Sequence, residues 1–408
     1  MIQMYVALAV VAVCIYFKYK CSFWSRKKID GPAPLPFFGN LFDFVVTKKK
    51  HIGEIEREIY EAYPKARYVG FYKIGEPALL IRDLDLIKDI LVTKFNAFNK
   101  NDFAVDPVVV GAVAFGLDAE SFTNPNADFR RMGDEIFKPS FLTGLKQQIV
   151  LFMPFMNKFL RVSLVSKETD RQFRELVNKV VEDRDKNGTQ RDDLLQVILG
   201  LRDKYGRYES SSTTMSYTLF GLATNLDVQK RVQQEVDAVL AQSKGEFTDE
   251  VNNKLVYLEQ CIMETVRMHS SVFRMSKISL KEVDFPPQYE TSTTSLKIEE
   301  GMNVVIPVYG IHFDKDYFPD PFTFNPDRWS PENRDSIPKF AFLGFGEGPR
   351  ICLGMKFALT QIKAGIASIL FKYDVTTYAK SENPVQFSKT TFNLQPENGI
   401  WLKLVKRN

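Results

Sequence analysis

A single cysteine, Cys352, lies in the stretch of the sequence whose residue types are best suited to chemistry. The ten residues from Phe345 to Gly354 are FGEGPRICLG, and their three glycines and one proline predict a tight loop. A helix is expected to begin directly after this loop. The cysteine would then lie at a helix amino terminus, where the dipole and free backbone N–H groups favour a thiolate. Arg350 adds a positive charge nearby.

The ligands around such a thiolate limit the metal that it could hold. The other cysteines, Cys14, Cys21 and Cys261, are scattered, and no histidine or cysteine partner lies at the spacing of a zinc site. One thiolate is sufficient as the axial ligand of haem iron. The alternative is a structural cysteine buried in a glycine-rich turn, which is what most single cysteines are.

The whole loop resembles the haem-thiolate signature FxxGxRxCxG of the cytochrome P450 family at every fixed position. The resemblance implies that Cys352 binds the iron of haem b and that Arg350 pairs with a haem propionate. It also implies that Phe345 packs near the sulfur and that Gly346 belongs to the same cofactor-binding loop. Donation by a thiolate helps to cleave an O–O bond, and the N–H groups of the loop tune that donation.

Two structural motifs of the family recur nearby. The residues ETVR from Glu264 to Arg267 match its ExxR motif, and the i,i+3 spacing places both charges on one helix face. So short a motif would, alone, also fit a surface ion pair. The residues FNPDRW, which contain Arg328, resemble the PERF-type element whose arginine completes a Glu–Arg–Arg network. The resemblance implies that these three charged residues are structural.

The polar run from Tyr208 to Thr214 resembles the oxygen-activation segment of the family's long distal helix. The resemblance implies that Glu209 and Ser210 stand in for the acid and alcohol that deliver protons to oxygen. Without it, a polar stripe at a helix start would be the better explanation. Counted from the ExxR motif, Lys277 takes the place of a propionate-binding arginine. A lysine can pair with a carboxylate there but lacks bidentate geometry.

Two parts of the family pattern are absent from the sequence. Its only tryptophans are Trp24, Trp329 and Trp401, so it holds no WxxxR helix of the kind that grips haem propionates. The stretch before Tyr208 is polar, whereas the family has an apolar half-helix there that ends in a glycine. Arg207 takes the place of that glycine, and its bulky side chain would crowd the oxygen pocket. Either two internal segments are missing or the chain is a degenerate homologue. The intact motifs around both gaps favour missing segments.

The elements that must hold these residues are predicted to be mostly helices. Helical patterns cover Lys146–Val180, a segment from Asp227 onward and Leu255–Met268, the last two with apolar residues at helical spacing. A strand, a turn and a strand are predicted between Arg67 and Ile81. A final helix is expected from Gly354 to about Lys372. The predicted fold class is mainly α with small β-sheets (α+β), an incomplete cytochrome P450 fold.

Composition is typical of a large globular protein. The chain has 408 residues, 45% of them apolar and 25% charged, which excludes a disordered or multi-span membrane protein. With 54 Lys and Arg against 50 Asp and Glu, the net charge of +4 is too small to indicate a nucleic-acid partner. The 34 phenylalanines would line an apolar interior with room for an apolar ligand, although core packing alone explains them.

The amino terminus predicts attachment to a membrane. The run from Ile2 to Phe17 is uncharged, and its length is marginal but sufficient to span a bilayer if Tyr16 and Tyr19 lie at the interface. Basic residues follow it, so residues 1–20 are interpreted as an uncleaved anchor with the rest of the chain in the cytosol. A cleaved signal peptide is the alternative. Residues 21–40 form a basic and proline-rich linker, interpreted as a stiff spacer. Residues 41–408 are expected to form a single catalytic domain.

The resemblance implies a membrane-anchored, haem-dependent monooxygenase of the microsomal, insect detoxification type, on the endoplasmic reticulum. It would insert one atom of dioxygen into an apolar small molecule, with electrons from an NADPH-dependent reductase and with cytochrome b5 as a further donor. The reductase is expected to dock near Arg350, Lys356 and Lys363. The alternative is a truncated, membrane-tethered homologue that binds haem weakly or not at all.

Overall fold

The computed structural model describes residues 5, 11, 15–101, 171, 208–243, 246–389 and 394–407. The chain divides into two compact units, of which the first comprises residues 1–102 and 212–408 and the second residues 103–211. Almost all of the described residues belong to the first unit. The helix predicted over Lys146–Val180 lies, except for one position, outside the described residues.

The regular elements of the described chain are mostly helices. The α-helices are α1 (Phe23–Arg26), α2 (Phe42–Val45), α3 (Ile52–Ala62), α4 (Leu84–Lys88), α5 (Phe95–Phe98), α6 (Tyr208–Thr224), α7 (Leu226–Gln242), α8 (Asp249–Lys254), α9 (Val256–Met268), α10 (Val308–His312) and α11 (Met355–Leu370). A π-helical turn follows α4 at Asp89–Thr93, and 3-10 turns lie at Pro326–Trp329, Arg334–Ser336 and Gly348–Arg350. The strands are β1 (Tyr68–Lys73), β2 (Glu76–Ile81), β3 (Lys100–Asn101), β4 (Met275–Ile278), β5 (Val283–Phe285), β6 (Leu296–Ile298), β7 (Asn303–Ile306), β8 (Tyr373–Thr377) and β9 (Leu402–Lys406).

Five strands form a mixed sheet in the order β1-β2-β7-β4-β3. The predicted strand, turn and strand are β1 and β2, which pair antiparallel, and β2 then pairs parallel with β7. The antiparallel register of β4 places Lys277 opposite Asn101 of β3 on one side and Val304 of β7 on the other. The sheet therefore carries one of the predicted cofactor-binding residues between two neighbouring strands. Two further sheets have two strands each.

The helical core is built where α6, α7, α9 and α11 pack together. Apolar side chains at helical spacing on α7 are all buried, which confirms the helix predicted from Asp227: Val228, Val232, Val236 and Val239. Leu258 and Ile262 of α9 join the same cluster, as do Ile362 and Ile366 of α11. Because such stripes bury one face of each helix, helix packing stabilises these elements more than local propensity does.

One side chain fixes the start of the helix that carries the ExxR motif. The carboxylate of Glu235, on α7, accepts the backbone N–H groups of Tyr257 at 2.7 Å and Leu258 at 2.9 Å. These N–H groups belong to the first turn of α9, where no carbonyl of the same helix can pair with them. The negative charge also suits the positive end of the helix dipole. Glu235 therefore sets where α9 begins.

The predicted linker, residues 21–40, is packed against the sheet in the described structure. The indole of Trp24 is only 3% exposed and donates to the carbonyl of Phe71, at 2.9 Å. The side chain of Gln288 donates to the backbone of Asp30 and accepts from it, at 3.0 and 2.9 Å. A buried tryptophan and paired backbone groups therefore dock the first half of this segment on the sheet, and its role as a stiff spacer stays a prediction.

Residues 15–21 are helical, whereas most of the predicted anchor lies outside the described residues. Within the part of the chain that is described, no helix is both long enough and apolar enough to cross a bilayer. The described chain is mainly helical with three small sheets, and this confirms the predicted fold class.

Candidate functional site

The predicted cysteine loop is a chain of turns that ends directly before α11. A turn is closed by the N–H of Gly346 donating to the carbonyl of Leu343 at 2.9 Å, and the N–H of Cys352 then donates to the carbonyl of Phe345 at 2.8 Å. Cys352 itself is exposed and lies three residues before the first residue of α11. The loop thus presents the sulfur outward ahead of a helix amino terminus.

Two glycines permit this loop conformation. Gly346 and Gly348 have φ angles of +73° and +75°, which side chains of L-residues rarely adopt. At Gly348 there is also no room for a Cβ, because it would collide with the carbonyl oxygen of Leu91 in the π-helical turn. The loop therefore rests closely on the backbone that follows α4.

A pair of cations lies beside this loop. Lys277 is buried in β4, and its ammonium group donates to the side-chain oxygen of Asn101 at 2.8 Å. Burial, together with the positive charge of Arg350, lowers the pKa of Lys277 from its ordinary value to about 8. The sequence-predicted residues Lys277 and Arg350 are therefore brought into electrostatic reach of each other, as groups that would both suit carboxylates.

The ExxR motif and the PERF-type element meet in one buried cluster. Both terminal oxygens of Glu264 accept from the guanidinium of Arg267, at 2.9 Å each, and both side chains are completely buried. Arg328 donates to Glu264 at 3.3 Å and to the carbonyl of Asp320 at 2.8 Å. The structure thus brings Glu264, Arg267 and Arg328 together, and the alternative of a surface ion pair does not apply.

Sequence reasoning missed several members of this cluster. The indole of Trp329 donates to Glu264 at 3.0 Å, and the N–H of Asn325 donates at 3.1 Å. Arg267 donates to the backbone carbonyls of His312, at 2.7 Å, and Pro321, at 2.8 Å. A histidine in the apolar run IPVYGIHF is a polar residue where the core is expected, and that was the available indication that it has buried partners.

The predicted proton-delivery residues lie at the edge of the described chain. The backbones of Glu209 and Ser210 form the first turn of α6, within the second unit, and their side chains lie outside the described residues. Arg207 and the stretch before it also lie outside the described residues. The proton-delivery role of Glu209 and Ser210 therefore stays a prediction.

The predicted docking role of Lys363 is wrong. This lysine is 3% exposed, its ammonium group donates to the carbonyl of Asn252 at 3.0 Å, and it pairs with Glu259. Ile366, three residues later, belongs to the helical core, so Lys363 lies on the same side of α11 as that core residue. By contrast, Arg350 and Lys356 are exposed.

All three tryptophans bind backbone or carboxylate groups of the protein itself. Trp24 donates to the sheet, Trp329 donates to Glu264, and Trp401 donates to the carbonyl of Asn398 at 2.8 Å. The indole N–H of each tryptophan is therefore already paired within the protein.

Comparison with known proteins shows which family the chain resembles. The model of the family described as Cytochrome P450 matches residues 103–403. The chain is 28% identical to Cytochrome P450 6j1 of Blattella germanica, with 98% of this chain and 96% of the relative covered. It is 27% identical to Probable cytochrome P450 6a13 of Drosophila melanogaster, with 99% of each covered. It is also 27% identical to Cytochrome P450 6B4 of Papilio glaucus, with 100% of each covered.

These similarities also bear on the length of the chain. The alignment with the Blattella germanica protein extends over 491 positions, whereas this chain has 408 residues, so parts of the relative face gaps in this chain. Such gaps are in keeping with the predicted absence of two internal segments. The resemblance seen in the cysteine loop and the ExxR motif is confirmed over most of the sequence. The chain belongs to the cytochrome P450 family and is a haem-thiolate monooxygenase of the insect type.

Proposed function

We propose that this protein oxygenates an apolar small molecule, such as a xenobiotic, a hormone or a lipid-like compound, with electrons from an NADPH-dependent reductase. In that reaction one atom of dioxygen enters a C–H bond of the substrate. The other atom leaves as water, which requires two electrons and two protons. Bound haem supplies the iron at which dioxygen is activated. The proposal is supported chiefly by the exposed Cys352 in its loop of backbone turns.

The residues around the loop fit a haem group. A bound haem would need a thiolate for its iron and cations for its two propionates, and the described residues offer the exposed Cys352 and the neighbouring cations Arg350 and Lys277. We propose that Cys352 holds the iron and that Arg350 and Lys277 hold the propionates, with Asn101 orienting the lysine. Phe345 and Gly346 shape the loop, while Glu264, Arg267 and Arg328 fix its surroundings.

The remaining roles rest on the family pattern. Glu209 and Ser210 are proposed to pass protons toward the site from the first turn of α6, because an acid beside an alcohol forms a short proton relay. The reductase is proposed to dock where Arg350 and Lys356 are exposed, since a basic surface attracts an acidic partner. The amino-terminal apolar run is proposed to anchor the protein to the endoplasmic reticulum.

The proposed function is tested by the carbon monoxide difference spectrum of the purified full chain. The wild-type protein is expected to show a thiolate-type Soret band with close to one haem per chain, and Cys352→Ala is expected to abolish that band. Cys21→Ser is the matched control, because Cys21 lies outside the site and should leave the band unchanged. A band that survives in Cys352→Ala would contradict the proposal. Haem content far below one per chain would favour the truncated, impaired homologue.

A pH dependence of haem binding follows from Lys277. Its pKa of about 8 in the protein without haem means that the ammonium group loses its charge as the pH rises above that value. Pairing with a propionate then requires a proton to be taken up, so haem affinity should fall by up to about tenfold per pH unit above the pKa. Lys277→Arg should remove this fall, because arginine stays charged.

The measurement for Lys277 is a haem titration of both proteins at a series of pH values from neutral to alkaline. Other titrating groups are common to the two chains, so the ratio of their dissociation constants isolates residue 277. A ratio that is independent of pH would show that Lys277 does not pair with a propionate.

A further inference from the structure

His312 makes two hydrogen bonds that define its protonation. Its Nε2 lies 2.9 Å from the backbone nitrogen of Leu343, which can only donate, so Nε2 must be the acceptor. Its Nδ1 lies 2.9 Å from the carbonyl oxygen of Arg267, which can only accept, so Nδ1 must carry the hydrogen. The ring is therefore neutral, and it is completely buried.

These two bonds join the buried ion cluster to the cysteine loop. Arg267 returns the contact by donating from its guanidinium to the carbonyl of His312 at 2.7 Å, so the two residues exchange a pair of hydrogen bonds. On the other side, Leu343 is the residue whose carbonyl closes the first turn of the loop by accepting from Gly346. The carbonyl of Phe345, two residues further, accepts from Cys352.

The surroundings hold the imidazole in this position. The ring is stacked on Phe342, with centroids 5.3 Å apart and planes 12° from parallel. It also makes a T-shaped contact with Phe318, with centroids 6.1 Å apart. Next to Leu343, a Cβ on Gly344 would collide with Val266 of α9, so the loop also rests directly on the ExxR helix. A ring packed in this way loses little further freedom when it forms its two hydrogen bonds.

We infer that His312 is a positioning residue for Cys352, which transmits the fixed geometry of the Glu264–Arg267 pair to the thiolate loop through the backbone N–H of Leu343. The inference rests on the proposed function only where haem is concerned. It gives His312 a role beyond filling the core. The hydrogen bond from the N–H of Leu343 fixes the backbone where the cysteine loop begins, and the bond to the carbonyl of Arg267 fixes the orientation of the imidazole ring.

Two variants separate these two bonds. In His312→Gln the longer amide places an oxygen near the position of Nε2, so the acceptor for Leu343 is retained and the donor to Arg267 is lost. In His312→Asn the shorter amide places an N–H₂ group near Nδ1, so the donor to Arg267 is retained and the acceptor for Leu343 is lost. Each variant loses one buried hydrogen bond, and their thermal unfolding midpoints should therefore be similar.

The first readout is the amide hydrogen exchange of Leu343 in the full chain without haem, by mass spectrometry of peptides that cover the loop. His312→Asn should exchange this amide at least about tenfold faster than His312→Gln, since a lost hydrogen bond of ordinary strength changes a local opening equilibrium by about that factor. Equal exchange in the two variants would overturn the inference. If neither variant folds, a Leu343 amide that is unprotected in the wild type would overturn it.

The second readout is the stability of the thiolate-type Soret band of the reduced carbon monoxide complex in the haem-loaded full chain. His312→Gln should retain this band, and His312→Asn should lose it about tenfold faster, as expected for one hydrogen bond. Equal loss in both variants would mean a purely structural role and would overturn the inference. Failure of the wild type to bind haem would contradict the proposed function instead, and the amide exchange would still decide the role of His312.

Discussion

Replacing Glu264 with alanine is expected to lower the free energy of unfolding by about 3 to 5 kcal/mol, the range found when one partner of a buried ion pair is removed. Glu264 and Arg267 are both completely buried, so the substitution would leave the guanidinium charged, desolvated and without its carboxylate. Arg328 and the indole of Trp329 would lose the same acceptor. The measurement is urea unfolding followed by circular dichroism, with the slope compared between variants.

Asp327→Ala is the matched control for this prediction. Asp327 forms an ion pair with Arg231 at 2.9 and 3.0 Å in the same region of the fold, but both side chains are about half exposed. Exposed pairs contribute at most about 1 kcal/mol, because water solvates the charges after the partner is removed. Similar losses for Glu264→Ala and Asp327→Ala would contradict the assignment of Glu264 as the centre of a buried cluster.

Local patterns in the sequence were sufficient for the elements that carry the site. The spacing of valines on α7 and of leucine and isoleucine on α9 predicted both helices, because one apolar face recurs every three to four residues. The glycines and proline of the cysteine loop predicted a tight turn ahead of a helix, and the i,i+3 spacing placed Glu264 beside Arg267. Each of these features depends on neighbours in the chain.

Partners that are distant in the chain could not be predicted in this way. His312 is 45 residues from Arg267 and 31 from Leu343, and nothing in the local pattern gives those pairings. The burial of Lys363 could have been predicted from the sequence, since Ile362 and Ile366 flank it on the apolar face of α11. A lysine on such a face must bury its stem and find an acceptor for its ammonium group, and here it finds Asn252 and Glu259.

Acid is expected to destabilise the fold well before most carboxylates are protonated. Burial, assisted by the charge of Arg267, lowers the pKa of His312 to about 3, whereas a histidine in the unfolded chain has a pKa of about 6.5. Because the folded pKa is the lower of the two, the stabilisation by neutral His312 is complete above about pH 6.5 and is lost as the pH falls from there towards about 3. In that pH range the histidine of the unfolded chain binds a proton more tightly than His312 of the folded protein, so protonation favours unfolding.

The size of this effect follows from proton linkage, at about 1.4 kcal/mol per pH unit for one histidine, or about 2 kcal/mol between pH 6.5 and pH 5. Arg267, whose carbonyl accepts from Nδ1 of the ring, forms a completely buried ion pair with Glu264. His269 also has its pKa lowered to about 3, so the unfolding free energy of the wild type should depend on pH more steeply than one histidine allows.

The measurement is urea unfolding of wild type and His312→Gln at a series of pH values between 7 and 5. The difference in their unfolding free energies should shrink steadily as the pH falls. A constant difference would mean that His312 titrates normally in the folded protein, which its two hydrogen bonds and complete burial do not allow.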